Sequence, residues 1–229
     1  MATRTACLTI TVVTSGYGDY ILRTGAEISQ WEELFNRYLY ESRFRHLERP
    51  IVDLGPGRCA FVRQAVEKII AVDNASSLVD HFSIEGLDIR AGSAYDLPFE
   101  DGKVAALYCC WLLEHLDDPL RCLVEVRRVL RPGGYACFVV PSAESLRRGF
   151  YDDYTHVRPF THASMTQLAK DAGFTRHQTH YLFWTRGLRR LVPLVGPSGL
   201  LRILAAMDRV SQRSRRLVNR QNLLFEAWA

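Results

Sequence analysis

The sequence predicts an α/β fold: an open, mainly parallel seven-stranded sheet with helices on both faces, an N-terminal helix, and a helical insertion near the C-terminus. Three observations predict it. Ile51-Val-Asp-Leu-Gly-Pro-Gly-Arg-Cys-Ala60 is an apolar run entering a glycine turn. Twenty residues after Asp53, a second apolar run, Ile69-Ile-Ala-Val-Asp73, ends in a carboxylate. Short apolar runs then alternate with helix-length amphipathic segments, the rhythm of parallel strands joined by helical crossovers.

Taken in order, Ala6–Thr14 is apolar and threonine-rich with no small-residue cleavage site, so it reads as a strand or a loose arm. Ser29–Glu48 reads as a helix. Ser29 is its cap, Glu32 completes a capping box, and Trp31, Leu34, Phe35, Tyr38, Leu39 and Phe44 recur near a 3.6-residue period. Pro50 stops it before the first strand, Ile51–Leu54. A helix from about Cys59 to Lys68 leads to the second strand, Ile69–Asp73, and a third short strand lies near Leu87–Ala91. Leu97-Pro-Phe-Glu-Asp-Gly102 is a turn before the strongly apolar fourth strand, Val104–Cys110. Leu120, Leu123, Val124, Val126, Val129 and Leu130 mark a helix from about Pro119 to Leu130, and Arg131-Pro-Gly-Gly134 turns the chain into a fifth strand, Tyr135–Val140.

Beyond Pro141 the pattern changes. Ser142–His162 is polar and aromatic, a loop or lid in character. Ser164–Ala172 is a helix closed by Gly173, His177–Trp184 alternates like a strand, and Asn222–Trp228 is the last strand. Between those two strands, Leu188–Arg216 is an amphipathic insertion interrupted by Pro193, Gly196, Pro197 and Gly199.

The 229 residues fit one α/β domain with a cap, and 48% apolar and 24% charged residues place the chain among soluble globular proteins. No stretch approaches the roughly 18–20 apolar residues of a membrane span. Six cysteines form no Cys-x-x-Cys pair. They read as buried thiols in a reducing cytoplasm, which argues against a disulfide framework and against zinc. No metal site is expected. Residues 1–175 hold 19 Lys and Arg against 23 Asp and Glu, whereas residues 176–229 hold 10 Arg against only Asp208 and Glu226. That asymmetry suits an anionic partner, whether phosphate, a membrane surface or RNA, and equally a solvated arginine-rich helix.

The glycine turn carries the chemistry. Gly55 and Gly57 lack a Cβ and let backbone approach a ligand closely. Asp73, at the carboxyl end of the next strand, can accept from both hydroxyls of a ribose, at about 1.5–3 kcal/mol per charge-assisted bond. Gly55-x-Gly57-x-x-Ala60 also satisfies a dinucleotide pattern, so on these residues alone a nicotinamide cofactor and a purely structural turn both stand.

Four segments in register narrow the choice: Val52-Asp-Leu-Gly-Pro-Gly57, Asp96-Leu-Pro-Phe-Glu-Asp-Gly102, Leu113-Glu-His-Leu-Asp-Asp-Pro119 and Val129-Leu-Arg-Pro-Gly-Gly134. Through them the chain resembles the class I S-adenosylmethionine-dependent methyltransferases, especially the small-molecule group related to the ubiquinone and menaquinone biosynthetic enzymes. The resemblance implies a Rossmann-like fold, with an N-terminal arm and helix over 1–50 and a cofactor core over 51–142. Lid, substrate-side insertion and final strands follow over 143–229 of a single domain. It implies S-adenosylmethionine as cofactor. Asp53, Gly55 and Gly57 would lie under its methionine part, Asp73 would hold the ribose, and Ser93 and Ala94 would meet the adenine. Ser93 stands where the family usually has an Asp, and Cys59 replaces a third glycine. Cys110 and Trp111 follow the fourth strand, where cofactor meets substrate. The Asn/Asp-Pro-Pro-aromatic motif of DNA and protein amide methylators is absent there, so a DNA substrate is not expected.

Tyr154-Thr-His-Val-Arg-Pro-Phe-Thr161 is similar to a lid segment of relatives from saccharide and natural-product clusters. In it His156 is the first candidate for a proton acceptor, Arg158 for an anion clamp, and Tyr154, with Trp111, for a substrate contact. His115 is the second candidate base. The expected reaction is methyl transfer to a hydroxyl of a saccharide, lipid-linked or natural-product intermediate in the cytoplasm. The insertion is a cap, a peripheral membrane contact or a homo-oligomer interface. An RNA methyltransferase and a non-catalytic cofactor-binding scaffold are the alternatives.

Overall fold

The computed structural model describes residues 15–25, 27–182, 192–213 and 221–229. The expected arm at Ala6–Thr14, Trp184, and the start and end of the insertion lie outside them. The strands are β1 (Ile51–Leu54), β2 (Ile69–Asp73), β3 (Ile89–Ala91), β4 (Val104–Cys110), β5 (Leu130–Pro141), β6 (Arg176–Leu182) and β7 (Asn222–Trp228). They form one seven-stranded sheet in the order β3-β2-β1-β4-β5-β7-β6. The pairs from β3 to β5 are parallel, but β7 runs antiparallel to both β5 and β6, so the sheet is mixed. Strand direction leaves no trace in hydrophobic periodicity, and the insertion acts as a long hairpin connection that brings β7 back between its neighbours.

Alternate strand residues feed two core layers. Ile51, Ala106 and Tyr108 face one layer, with Ile21 of α1 (Ser15–Arg23), Phe35 and Leu39 of α2 (Gln30–Leu39), and Leu78 and Phe82 of α3 (Ser76–Ile84). Leu200 and Leu204 of α6 (Val192–Arg213) complete that layer. Val52, Leu54, Leu107 and Cys109 face the other, with Leu123 and Val126 of α4 (Pro119–Val129) and Met165 and Ala169 of α5 (His162–Asp171). The cysteines within the described residues, Cys59, Cys109, Cys110, Cys122 and Cys137, are free thiols. No described helix is long and apolar enough to cross a membrane.

Two expectations change, and a third, the interrupted insertion, holds. The helix from Cys59 to Lys68 is a series of turns with one 3-10 turn at Val62–Gln64. Gly57 and Cys59, with φ of 53° and 58°, are left-handed and cannot start an α-helix. The first long helix keeps its Ser29 cap, whose hydroxyl accepts from Glu32 N–H at 3.2 Å, but it passes at Tyr40–Phe44 into a π-helical turn. There the Ser42 hydroxyl donates to the Tyr38 carbonyl at 2.6 Å, which competes with the helical ladder. The insertion helix α6 is broken at Gly196, φ 67° and ψ 171°, just before Pro197.

The π-turn aims Arg43 into the protein, where it pairs with Asp208 of α6 at 2.5 Å and approaches Glu226 of β7 at 3.5 Å. His180 of β6 lies 3.4 Å from Asp208, and Tyr135 donates to Glu226 at 2.6 Å. This buried cluster fastens insertion, N-terminal helix and final strands to one another.

Candidate functional site

The chain leaves β1 in one direction across the sheet and β4 in the other, and the carboxyl ends of these adjacent strands open a crevice. Gly55, φ 69°, forms its floor, its N–H donating to the Val72 carbonyl at 3.0 Å. A Cβ there would lie 3.0 Å from Leu112 Cδ2, so side-chain-free backbone is required. Gly57 turns beneath α1, where a Cβ would stand 3.8 Å from Ile21. Gly18 packs α1 tightly onto Ala75 and Ser77 at the start of α3, and Arg58 Nε donates to the Gly25 carbonyl at 3.1 Å. The N-terminal helix therefore covers the cradle.

Asp53 is 2% exposed and its Oδ2 has no hydrogen-bond partner, an orphaned acceptor beneath the turn. Burial, then the charge of Asp73, pushes its carboxyl well above the ordinary range. Asp73 ends β2 half-buried, with Oδ1 accepting from Ala75 N–H at 2.8 Å. Burial raises it too, against the lowering pull of the Ala75 and Asn74 N–H groups. Ser93 bridges to Asp96, and its hydroxyl accepts from Tyr95 N–H at 3.1 Å, with Ala94 between them partly buried. An orphaned carboxylate, a cradle that a Cβ would fill and an acid at the neighbouring strand end fit a cofactor with an amino acid part and a ribose. Asp53, Gly55, Gly57 and Asp73 would hold it.

At the exit of β4, Cys110 is followed by Trp111 in a left-handed conformation, φ 54°, uncommon for so large a residue. Trp111 is 40% exposed. It stacks on Phe35 of α2 and its Nε1–H points at Asn222 Oδ1, 3.4 Å away. Burial pushes the Cys110 thiol well above its usual range.

Leu113–His115 then forms a 3-10 turn. His115 and His156 come together, ring centroids 4.6 Å apart. His115 Nδ1 lies 2.8 Å from Thr155 Oγ1, and His156 Nδ1 lies 2.6 Å from the Phe150 carbonyl. Burial, then the neighbouring His156, lowers the His115 imidazole. Glu114, absent from the sequence-based site, is 0% exposed beside them, and burial pushes its carboxyl up to about 8. Its only sequence signal is the Leu-Glu-His-Leu setting, where an acid between leucines must turn inward with them.

Arg158 Nη2 donates to the Asp117 carbonyl at 2.7 Å, and its Nε has no hydrogen-bond partner. With Val157 N–H donating to the Glu114 carbonyl at 2.8 Å, it pins the lid to the β4 exit. Tyr154 is 95% exposed, away from the cluster. The turn at 97–102 is held from α4: Glu125 accepts from Leu97 N–H at 2.6 Å, and Arg128 reaches Glu125, Asp101 and the Phe99 carbonyl.

A methyltransferase-domain family model matches residues 52–138. A malonyl-[acyl-carrier protein] O-methyltransferase of Methylococcus capsulatus is 28% identical over 198 residues, covering 78% of this chain and 71% of the relative. A 37.1 kDa transposon protein of Streptomyces fradiae is 29% identical over 125 residues, 47% of this chain and 36% of the relative. The chain thus spans about a third of that relative's length. Among solved structures, a SAM-dependent methyltransferase of Archaeoglobus fulgidus superposes with a TM-score of 0.64 at 20% identity, covering 86% of this chain and 94% of that one, which shows the shared fold. Sheet order, glycine cradle, strand-end acid and the match over residues 52–138 agree: this stretch is a methyltransferase domain of the class I S-adenosylmethionine-dependent type.

Proposed function

We propose that the protein transfers the methyl group of S-adenosylmethionine to an oxygen of a small molecule, a hydroxyl of a saccharide, lipid-linked or natural-product intermediate. The observation that carries this reading is the His115–His156 pair at the exit of β4, beside the Leu112 that packs on Gly55. The bound cofactor supplies an already activated methyl. The chain's share is to hold the acceptor in line, exclude water and receive a proton. A carbonyl oxygen only accepts, so His156 Nδ1 donates to Phe150 and the ring presents Nε2 as a lone-pair site. His156 is the first proton acceptor and His115 the second. The lid closes over them, with Phe150 packed on His156 at 4.5 Å. The O-methyltransferase relative supports an oxygen acceptor by its name.

The test is transfer of labelled methyl from S-adenosylmethionine into a fractionated extract of the source cell. Label is expected in lipid, saccharide or small-molecule fractions, falling about 10²–10⁴-fold with His156→Ala. Label in RNA alone would replace this reading.

A further inference from the structure

Glu114 poses a physical problem. Neither carboxylate oxygen has a hydrogen-bond partner, only the residue's own backbone N–H close by. A buried carboxylate without partners is costly unless it is paired or holds a cation. One ligand atom each from Glu114, His115 and His156 lies within 4.8 Å of the other two.

The outer contacts fix how the two rings stand. Thr155 donates its hydroxyl proton to Asp153 Oδ1 at 2.6 Å, which leaves Oγ1 to accept from His115 Nδ1. Phe150 likewise accepts from His156 Nδ1. Each neutral ring thus carries its proton on Nδ1, committed to an outer oxygen, with a lone pair on Nε2. A histidine whose far nitrogen is tied in this way is oriented as metal-ligating histidines are. Asp153 Oδ2 stands a further 4.0 Å from His156 Nε2.

We infer that Glu114, His115 and His156 form a site for a single divalent transition metal ion of the zinc class. Two imidazoles and one carboxylate suit such an ion better than magnesium or calcium, which prefer all-oxygen sites. Metal–nitrogen bonds of about 2.0–2.1 Å set ligand atoms roughly 3.3 Å apart, so the three, now within 4.8 Å of one another, draw together by up to about 1.5 Å on binding. Three protein ligands leave a position open for an oxygen. This deepens the methyl-transfer reading and rests on it: the open position is where the acceptor's hydroxyl would bind and lose its proton more readily. With both Nε2 atoms on the ion, that proton would pass to Asp153 or to water, the histidines serving as bases only in the metal-free chain. Cysteine spacing is blind to such a site, because the turn after β4 and the lid meet only in the fold.

The test strips the full chain with a chelator and titrates it with Co²⁺, followed by visible absorption and by Zn²⁺ competition. S-adenosylmethionine binding is measured on the same samples by calorimetry. The expected result is one ion per chain, lost with Glu114→Gln and with His156→Ala, and weakened about 10–100-fold with Thr155→Val, while the cofactor still binds. Cofactor binding without Co²⁺ uptake, or uptake unchanged in Glu114→Gln, overturns the metal site and leaves methyl transfer standing. Uptake without cofactor binding overturns methyl transfer instead.

Discussion

Trp111 lies flat on Phe35, their ring centroids 5.2 Å apart and their planes within 9°. Trp111 holds a left-handed backbone that costs such a residue about 1–3 kcal/mol, and the stack on a fully buried Phe35 offsets it. An N-terminal helix thereby sets the side chain at the crevice mouth.

Phe35→Ala removes that support. Unfolding in urea should show a loss of about 3–5 kcal/mol, with Trp111 fluorescence shifted to the red.

Gly55→Ala brings a Cβ to 3.0 Å from Leu112 at a φ of 69°. The left-handed penalty alone, about 1–2 kcal/mol, corresponds to roughly five- to thirtyfold weaker cofactor binding by calorimetry.

Asp73→Asn keeps an oxygen for the Ala75 N–H but loses the charge that would grip the ribose. Cofactor affinity should fall by about 1.5–3 kcal/mol with the fold intact by circular dichroism.

Asp53 sets a pH dependence. Burial raises its carboxyl above the unfolded value, so the folded chain binds this proton more tightly than the unfolded one. Its contribution to stability is full at low pH and is lost as pH rises through the folded value. Asp53→Asn should flatten this slope in urea unfolding measured from acid to neutral pH, and be the more stable form at neutral pH. An unchanged slope would mean the carboxylate is paired.

Arg43→Met leaves Asp208 and Glu226 buried without their cation. Removing one partner of such a cluster costs about 3–5 kcal/mol, read as a lower denaturation midpoint.

Much of the fold was legible because its central strands are buried on both faces and read as unbroken apolar runs. Ile51–Leu54, Ile69–Asp73, Val104–Cys110 and Asn222–Trp228 appear with the bounds their sequences suggest. Helix α3 escaped notice because Ser-Ser-Leu-Val-Asp-His-Phe-Ser-Ile buries only Leu78 and Phe82 and starts at Ala75 without a side-chain cap. Helix α1, too, carries little apolar signal beyond Ile21. The cofactor cradle was readable because its glycines and acids are local to two strand ends. The His115–His156 pairing and the inward turn of Glu114 depend on a lid folding back, which no spacing encodes. The charge of Arg158 is plain in the sequence, whereas its hydrogen bond to the Asp117 carbonyl is set by the fold.

The order of the strands leaves two rims, and each discourages unwanted company. At one side β3 has only three residues. At the other, β6 begins Arg176-His-Gln-Thr, with the Arg176 guanidinium laid over Trp228 at 4.2 Å. A neighbouring molecule seeking to extend the sheet meets too short a ladder on the first rim and a cationic, polar one on the second, so fibrous self-association is disfavoured at both.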